Sequence, residues 1–424
     1  MQSKGKFRTH CQEIKTLKSV AQTLQLMNNL QTRFQAIDQW LYQHKALWQF
    51  DSFASLSLPW QEAYPALAVW LNAQQEVDLE DAKQVAEIIH AQPSLGELSD
   101  CAQGVLATEQ TRQNATSPPA YLSTGIKGRK WSQIEAFAAC TPMVDRYLEW
   151  CAGKGHLGKY LAFHGDKQVT SIEWQQSLCE AGQQKAQQLS LQQQFHCTDV
   201  LADAPEALLK TAQCAVALHA CGDLHRVLLE QASRLKTPYI CIAPCCYHLT
   251  QTEAYQPLST LAAQAKLTLR KADLKLAVKQ VATAGAREQR LQKQELTYRL
   301  GFDLWQRHAR KTDQYLAVPS IQKVLLSQGF VGFCHWAAEQ KQLTYLIAQQ
   351  PFENFQDAAE QRYQDLQKQQ AISQWFRPAL EYWLILDRAI YLQEQGYQVD
   401  IGAFCDASLT PRNWMVRAEL KATT

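Results

Sequence analysis

Apolar residues recur three and four apart through Ile14, Leu17, Val20, Leu24 and Met27, and again through Leu67, Trp70 and Leu71. That spacing lays one apolar stripe along an α-helix. Residues 1–112 therefore read as a helical N-terminal domain, punctuated by Pro59 and Pro65. The polar stretch Asn114–Pro119 ends in Pro118-Pro119 and reads as the start of a linker over residues 113–133.

The pattern changes after Ile134. Short apolar runs at Tyr147–Cys151, Val169–Glu173, Phe195–Val200, Cys214–His219 and Tyr239–Ala243 alternate with helix-compatible stretches. Such alternation predicts a parallel sheet with helices on both faces, here the first part of a core over residues 134–248. Residues 249–375 break the rhythm and read as a mostly helical insertion, with one candidate strand at Leu343–Ala348. Pro378 then opens an apolar helix that Gly396 stops. Val399–Cys405 and Trp414–Leu420 follow as an antiparallel pair joined by Asp406–Asn413, so residues 376–424 close the core. Five parallel-type strands, an insertion, a helix and a terminal β-hairpin are the strand programme of a class I methyltransferase. The expected fold class is α/β, a Rossmann-like sheet with a helical N-terminal domain and a helical insertion.

Composition narrows the setting. The chain is 46% hydrophobic, enough for a core, and its net charge of +2 selects no partner. Its early lysines are followed by no apolar run, and no segment approaches the roughly 18 apolar residues of a membrane span. The 13 cysteines show no framework spacing. Without an export signal they read as reduced thiols in a cytoplasmic protein, and the sequon at Asn114 carries no meaning.

The strongest local signal is the run Glu149-Trp150-Cys151-Ala152-Gly153-Lys154-Gly155-His156-Leu157-Gly158. A strand runs into spaced glycines and a helix follows, so backbone N–H groups can meet a ligand closely. Glu149, Cys151, Gly153, Lys154, Gly155 and His156 are the candidate residues for the methionine end of S-adenosyl-L-methionine. Glu173 at the second strand end is placed to hold a ribose, and Asp199 after the third to meet an adenine amine. The fourth and fifth strands end in Leu218-His219-Ala220-Cys221-Gly222-Asp223-Leu224 and Ile242-Ala243-Pro244-Cys245-Cys246-Tyr247-His248. Ligands bind at the carboxyl ends of strands in such sheets. His219, Asp223, Cys245, Tyr247 and His248 are therefore the catalytic candidates, with His219 also beside the cofactor and His248 as the first choice of base. Two sharper readings of the loops stand beside this one. The cysteines serve as nucleophiles, or Cys241, Cys245, Cys246 and His248 bind zinc. The preferred reading assigns no metal.

The turn Gly153–Leu157, the loop His219–Leu224 and the loop Cys245–His248 resemble the methyltransferase-like protein 25 group. So do Leu386-Asp387-Arg388-Ala389, Gln393–Tyr397 and Thr410-Pro411-Arg412-Asn413, with threonine where that group has serine. The resemblance spans roughly residues 125–420. It implies a methyltransferase fold and an S-adenosyl-L-methionine cofactor. Related sequences with a Cys-Cys-His type loop include a transfer-RNA ribose methyltransferase.

Between Lys266 and Lys311 the chain holds twelve Lys and Arg against four Asp and Glu. Lys271, Lys275 and Lys279 are four apart, and Arg287, Arg290, Arg299 and Trp305 follow. Cations interleaved with aromatics suit phosphate contacts and base stacking, so these seven are the candidate substrate-binding residues and RNA the expected partner. Lys127, Arg129 and Lys130 extend the patch upstream. A protein acceptor, an RNA-binding protein without turnover, and a nicotinamide-dependent oxidoreductase matching Gly-x-Gly-x-x-Gly at residues 153–158 remain as alternatives. The sequence is silent on oligomeric state.

Overall fold

The computed structural model describes residues 29–79, 81–96, 118–164, 167–203, 205–278 and 286–422. The N-terminal periodicity through Met27, the sequon and Lys279 fall outside the described residues. The chain divides into two compact units: Met1–Gln43, Asp100–Val278 and Arg377–Thr424 make one, His44–Ser99 and Lys279–Phe376 the other.

The first unit is built on one sheet. Its strands are β1 (Arg146–Glu149), β2 (Gln168–Glu173), β3 (Gln193–Cys197), β4 (Cys214–Cys221), β5 (Tyr239–Cys245), β6 (Tyr397–Ala403) and β7 (Trp414–Leu420). Their spatial order is β3-β2-β1-β4-β5-β7-β6. The first five pair in parallel, and β7 runs antiparallel to both β5 and β6. The strand order reverses between β1 and β4, which opens a crevice at their carboxyl ends. The expected Rossmann-like sheet with a terminal antiparallel pair is present.

The central strands are apolar because helices cover both faces. Tyr147, Val169, Cys214, Val216, Cys241, Ala243 and Met415 alternate onto one face, where Trp131, Ile134, Phe137, Leu157 and Leu161 cover them. Helices Asp223–Arg234 and Arg377–Glu394 pack on strands from the other face.

The closing helix Arg377–Glu394 is buried almost all round, and its polar residues tie it to the chain after β5. Asp387 is fully buried and accepts hydrogen bonds from Leu258 N–H (3.0 Å), Ser259 N–H (2.8 Å), Ser259 Oγ–H (2.7 Å) and the Tyr255 hydroxyl. Arg388 donates to Leu384 O and to Nε2 of His225 (2.8 Å), whose Nδ1–H in turn donates to Ala220 O at the end of β4 (3.0 Å). The Arg388 guanidinium also lies 4.7 Å from the Tyr247 ring centroid.

Three expectations change here. Helix Leu30–Gln43 belongs to the sheet unit rather than to a separate N-terminal domain: Phe34 meets Trp383 at 4.9 Å and Asp38 accepts from Trp383 Nε1 at 3.0 Å. The linker region from Ala120 onward is helical and places Leu122 and Trp131 in the core. The candidate strand at Leu343–Ala348 is instead a 3₁₀ segment, Thr344–Gln349. Leu343 and Leu346, three apart, turn inward together, and among the described residues the second unit has no strand to pair with.

That second unit has its own core around Phe302, Trp305, Phe330, Phe333 and Phe352. Gly301 lets helix Ala286–Arg310 approach its neighbours, since a Cβ there would lie 2.5 Å from Phe330 Cε2 and 2.7 Å from Ala359 Cβ. No helix among the described residues is long and apolar enough to cross a membrane.

Asp387→Ala leaves four donors unpaired in a dry setting, so urea unfolding should register a loss of about 3–5 kcal/mol. Asp400→Ala removes only a half-exposed partner of Arg417 and should cost under about 1 kcal/mol. Equal losses in the two variants would show that the Asp387 anchor is not what holds this region.

Candidate functional site

The turn after β1 is shaped by three residues with positive φ: Cys151 (55°), Gly153 (58°) and Gly155 (65°). Gly155 has no room for a side chain, because a Cβ there would stand 2.3 Å from Phe195 Cζ. A Cβ at Gly153 would meet nothing within 4 Å, so the backbone there is open to a ligand. Helix His156–Phe163 starts directly from this turn.

Beneath the turn lies a buried polar chain. Ser171 Oγ on β2 donates to Glu149 Oε2 at 2.7 Å and accepts from Gln193 Nε2 at 2.9 Å; Gln193 Nε2 also donates to Gly155 O at 3.0 Å. The N–H groups of Leu157 and Gly158 also bond the Glu149 carboxyl, whose pKa burial raises to about 7 against these bonds. Glu149 is 4% exposed and a Cβ at Gly158 would lie 2.4 Å from its Oε2. The expectation that Glu149 faces the cofactor is therefore corrected. Its carboxyl points inward and braces the turn.

Glu173 does reach the turn's open side. Its Oε2 accepts from Gly153 N–H at 2.9 Å and its Oε1 from Gln175 N–H at 3.0 Å. A cleft of about 230 Å³ is lined by Cys151, Glu173, Trp174, Asp199, Val200 and Leu224, with Ile172 and Thr198. It thus gathers three of the sequence-chosen cofactor residues from three successive strand ends. Lys154 is exposed beside it in sequence, and half-buried His156 has its pKa lowered to about 4, chiefly by burial.

The loops after β4 and β5 are locked to one another. Gly222 N–H donates to Cys245 O at 3.1 Å and Asp223 N–H to Leu249 O at 3.0 Å; Asp223 Oδ2 accepts from Gln251 N–H at 2.9 Å. Gly222 is required, since a Cβ there would lie 1.8 Å from Leu249 O. His219, at φ 71°, meets Gln133 Oε1 through Nε2 at 3.0 Å. Gln133 Nε2 donates to Leu409 O, which fixes the amide so that His219 carries its proton on Nε2. Burial, with Lys130 and Arg412 nearby, lowers the His219 pKa to about 4. Burial likewise lowers that of His248, whose neighbours include Lys275, Arg412 and Lys271. Both rings are neutral near pH 7.

The remaining candidates separate. Tyr247 is 2% exposed, donates toward Pro244 O and packs under Arg388. With Asp223 it lines a different cavity, of about 290 Å³, shared with Arg226, Tyr255 and Arg388. The Tyr247 hydroxyl and Asp223 Oδ2 both bond within the loops. Cys245 is buried, and its thiol lies 3.5 Å from Cys221 Sγ. The Sγ atoms of Cys221, Cys245 and Cys246 all lie within 4.8 Å of one another. Cys241 is not among them, because four residues along a strand is about 13 Å and Cys241 sits in the core.

The basic stretch is divided between the two units. Lys271 and Lys275 lie in the sheet unit, whereas Arg287, Arg290, Arg299 and Trp305 lie in the other. Trp305 is fully buried and donates to Gln350 O, so it offers no face for stacking. Arg299 is committed to Glu295, Val318 O and Pro319 O. Arg287 and Arg290 are exposed. Sequence reasoning missed Ser171, Gln193 and Gln133. Their one signal was a polar residue inside an apolar strand or helix face, which requires a partner.

A protein-family model described as a methyltransferase domain matches residues 129–253. The match spans the glycine turn, all three strand-end acids and both cysteine loops. No curated protein matches significantly. Solved structures similar to the chain include coclaurine N-methyltransferase bound to N-methylheliamine and S-adenosylhomocysteine, 11% identical over 89% of this chain and 97% of that one, with a TM-score of 0.26. A [4+2]-cyclase, SpnF, is 12% identical over 80% and 97%, at 0.26. The N-terminal domain of EvdMO1 with S-adenosylhomocysteine bound is 15% identical over 40% and 66%, at 0.24. The chain thus spans just under two thirds of that last domain. At these TM-scores the likenesses carry no argument. The domain match does: residues 129–253 are a methyltransferase domain, with S-adenosyl-L-methionine as its cofactor.

The Glu149 carboxyl supplies a pH test. Its folded pKa of about 7 exceeds the ordinary 4.5. The folded state therefore holds the proton more tightly, and stability falls as pH rises from below 4.5 through 7. Relative to Glu149→Gln, the natural chain should lose up to about 3 kcal/mol across that window. Parallel pH profiles from chemical denaturation of the two proteins would place the carboxyl in solvent instead.

Proposed function

We propose that this chain, an S-adenosylmethionine-dependent methyltransferase, acts on RNA and belongs with the methyltransferase-like protein 25 group. The observation that supports an anionic acceptor is the charge around the β4 and β5 loops. Beyond the larger effect of burial, Lys130 and Arg412 act on His219, and Lys275, Arg412 and Lys271 on His248, to lower their pKa values. A phosphate backbone is the ligand such cations attract.

The residues present fit the cofactor. The open space at Gly153 leaves room for its methionine end, and the cleft lined by Glu173 and Asp199 suits its adenosine. Bound there, S-adenosylmethionine supplies a methyl group already activated on a sulfonium. The chain's task is then alignment and proton management. Neutral His219, held by Gln133, orients the acceptor. His248 keeps a buried Nδ1 without a hydrogen-bond partner and takes the acceptor's proton when that acceptor is a hydroxyl.

Two measurements test this. Calorimetric titration with S-adenosylhomocysteine should give saturable binding, weakened about 10-fold or more in Asp199→Ala by loss of a charge-assisted hydrogen bond of about 1.5–3 kcal/mol. With methyl-labelled cofactor, total cellular RNA should take up label in a ribonuclease-sensitive form, and His248→Ala should abolish it. Label confined to protein would overturn the RNA reading and leave the cofactor reading standing.

A further inference from the structure

Cys221, at the end of β4, and Cys245 and Cys246, at the end of β5, come together from loops 24 residues apart. Their sulfurs lie within 4.8 Å of one another, and Cys221 and Cys245 are 3.5 Å apart. A zinc–thiolate bond of about 2.3 Å in a tetrahedral site sets a sulfur–sulfur edge of about 3.8 Å. We infer that Cys221, Cys245 and Cys246 form a binding site for one thiophilic divalent cation of the zinc class, with a fourth position open on the acceptor side of the strand ends.

Three observations support it. The trio is pre-arranged, because the Gly222 N–H bond to Cys245 O fixes one loop against the other. His219 and Cys246, both non-glycine, hold positive φ of 71° and 48° at these loop ends. Such strain persists where surroundings over-determine it, commonly at functional sites. Charge also fits: three thiolates and a dication leave one negative charge, and Arg412 is the near cation. Metal binding releases protons as the thiols become ligands. Three protein ligands with one open position is the coordination of catalytic rather than structural zinc. The open position would take a water molecule or an acceptor oxygen or sulfur next to His248.

The same sulfurs make two other outcomes chemically available. Cys221 and Cys245 could lose two electrons to an oxidant and form a disulfide, or Cys246 could act alone as a nucleophile. Metal binding is separable from both. The full chain, purified under reducing conditions and dialysed, is assayed for metal by mass spectrometry. Stripped protein is then titrated with Co²⁺ alone. The expected result is one equivalent of metal and a thiolate-to-cobalt charge-transfer band. Peptides carrying Cys221, Cys245 and Cys246 should resist an alkylating reagent with metal bound and react once it is chelated. Cys221→Ser and Cys246→Ser should each weaken Co²⁺ binding by more than roughly 100-fold, beyond the 10- to 100-fold typical of outer-shell changes. Cys197→Ser, an exposed thiol elsewhere, should bind as the natural chain does. Because alkylation protection is read on the natural chain, a variant that fails to fold does not spare the proposal. Folded natural protein that gives no charge-transfer band, with all three thiols alkylated regardless of Co²⁺, would overturn it in favour of a free thiolate or a redox pair.

Discussion

Everything at the cofactor end rests on a buried carboxyl that would be unfavourable there alone. Glu149, Ser171 and Gln193 come from three adjacent strands, β1, β2 and β3, and meet in one polar layer below the glycine turn. Burying an unpaired carboxylate costs several kcal/mol or more. Ser171 Oγ–H and the N–H groups of Leu157 and Gly158 offset that cost, the last two at the positive end of a helix dipole. Gln193 extends the layer to Gly155 O. With its inner side fixed in this way, the turn leaves the Gly153 backbone outward, where Glu173 already takes its N–H. Space is the other half of the constraint. Gly155, Gly158 and Gly182 would each drive a Cβ into Phe195, Gln193 or Glu149 at under 2.6 Å.

The reactive end is organised by backbone rather than by acid. The β4 and β5 loops exchange hydrogen bonds through Gly222 and Asp223, and each is tied back to the closing helix, through the His225–Arg388 pair and through Tyr247 stacked under Arg388. This explains why Leu386-Asp387-Arg388 stands so far along the chain from the loops it serves. Asp387 takes its donors from the segment after β5, and Arg388 reaches Tyr255 there and His225 in the helix after β4. What remains available at the strand ends is two neutral histidines, three clustered sulfurs and several surrounding cations. That set suits orientation and proton transfer at neutral pH better than attack by a buried thiol such as Cys245, whose pKa its thiol neighbours raise.

Much of this was legible in the residue pattern. The strand runs fell within a few residues of β1 to β7, and Trp414–Leu420 matched to the residue. The glycine turn and the acids at Glu173 and Asp199 converge on one cleft, as three successive parallel strand ends require. The failures share one cause. Trp305 among arginines looked like a stacking platform, yet it fills the core of the second unit. Arg299, counted in the same basic stretch, is committed to Glu295, Val318 O and Pro319 O.

Sequence alone located the seven sheet strands and the closing helix, because period-2 and period-3.6 burial are written in neighbouring residues. It also marked the glycine turn, although the close neighbours that leave Gly155, Gly158 and Gly222 no room for a Cβ come from other elements. Only the tertiary structure decided which way Glu149 points, that Tyr247 is spent on Arg388, and that Cys221 rather than Cys241 joins Cys245 and Cys246. These are contacts between residues whose distance is set by parallel register across the sheet. Periodicity says that a face is buried, but the neighbour that covers it comes from strands and helices tens to hundreds of residues away.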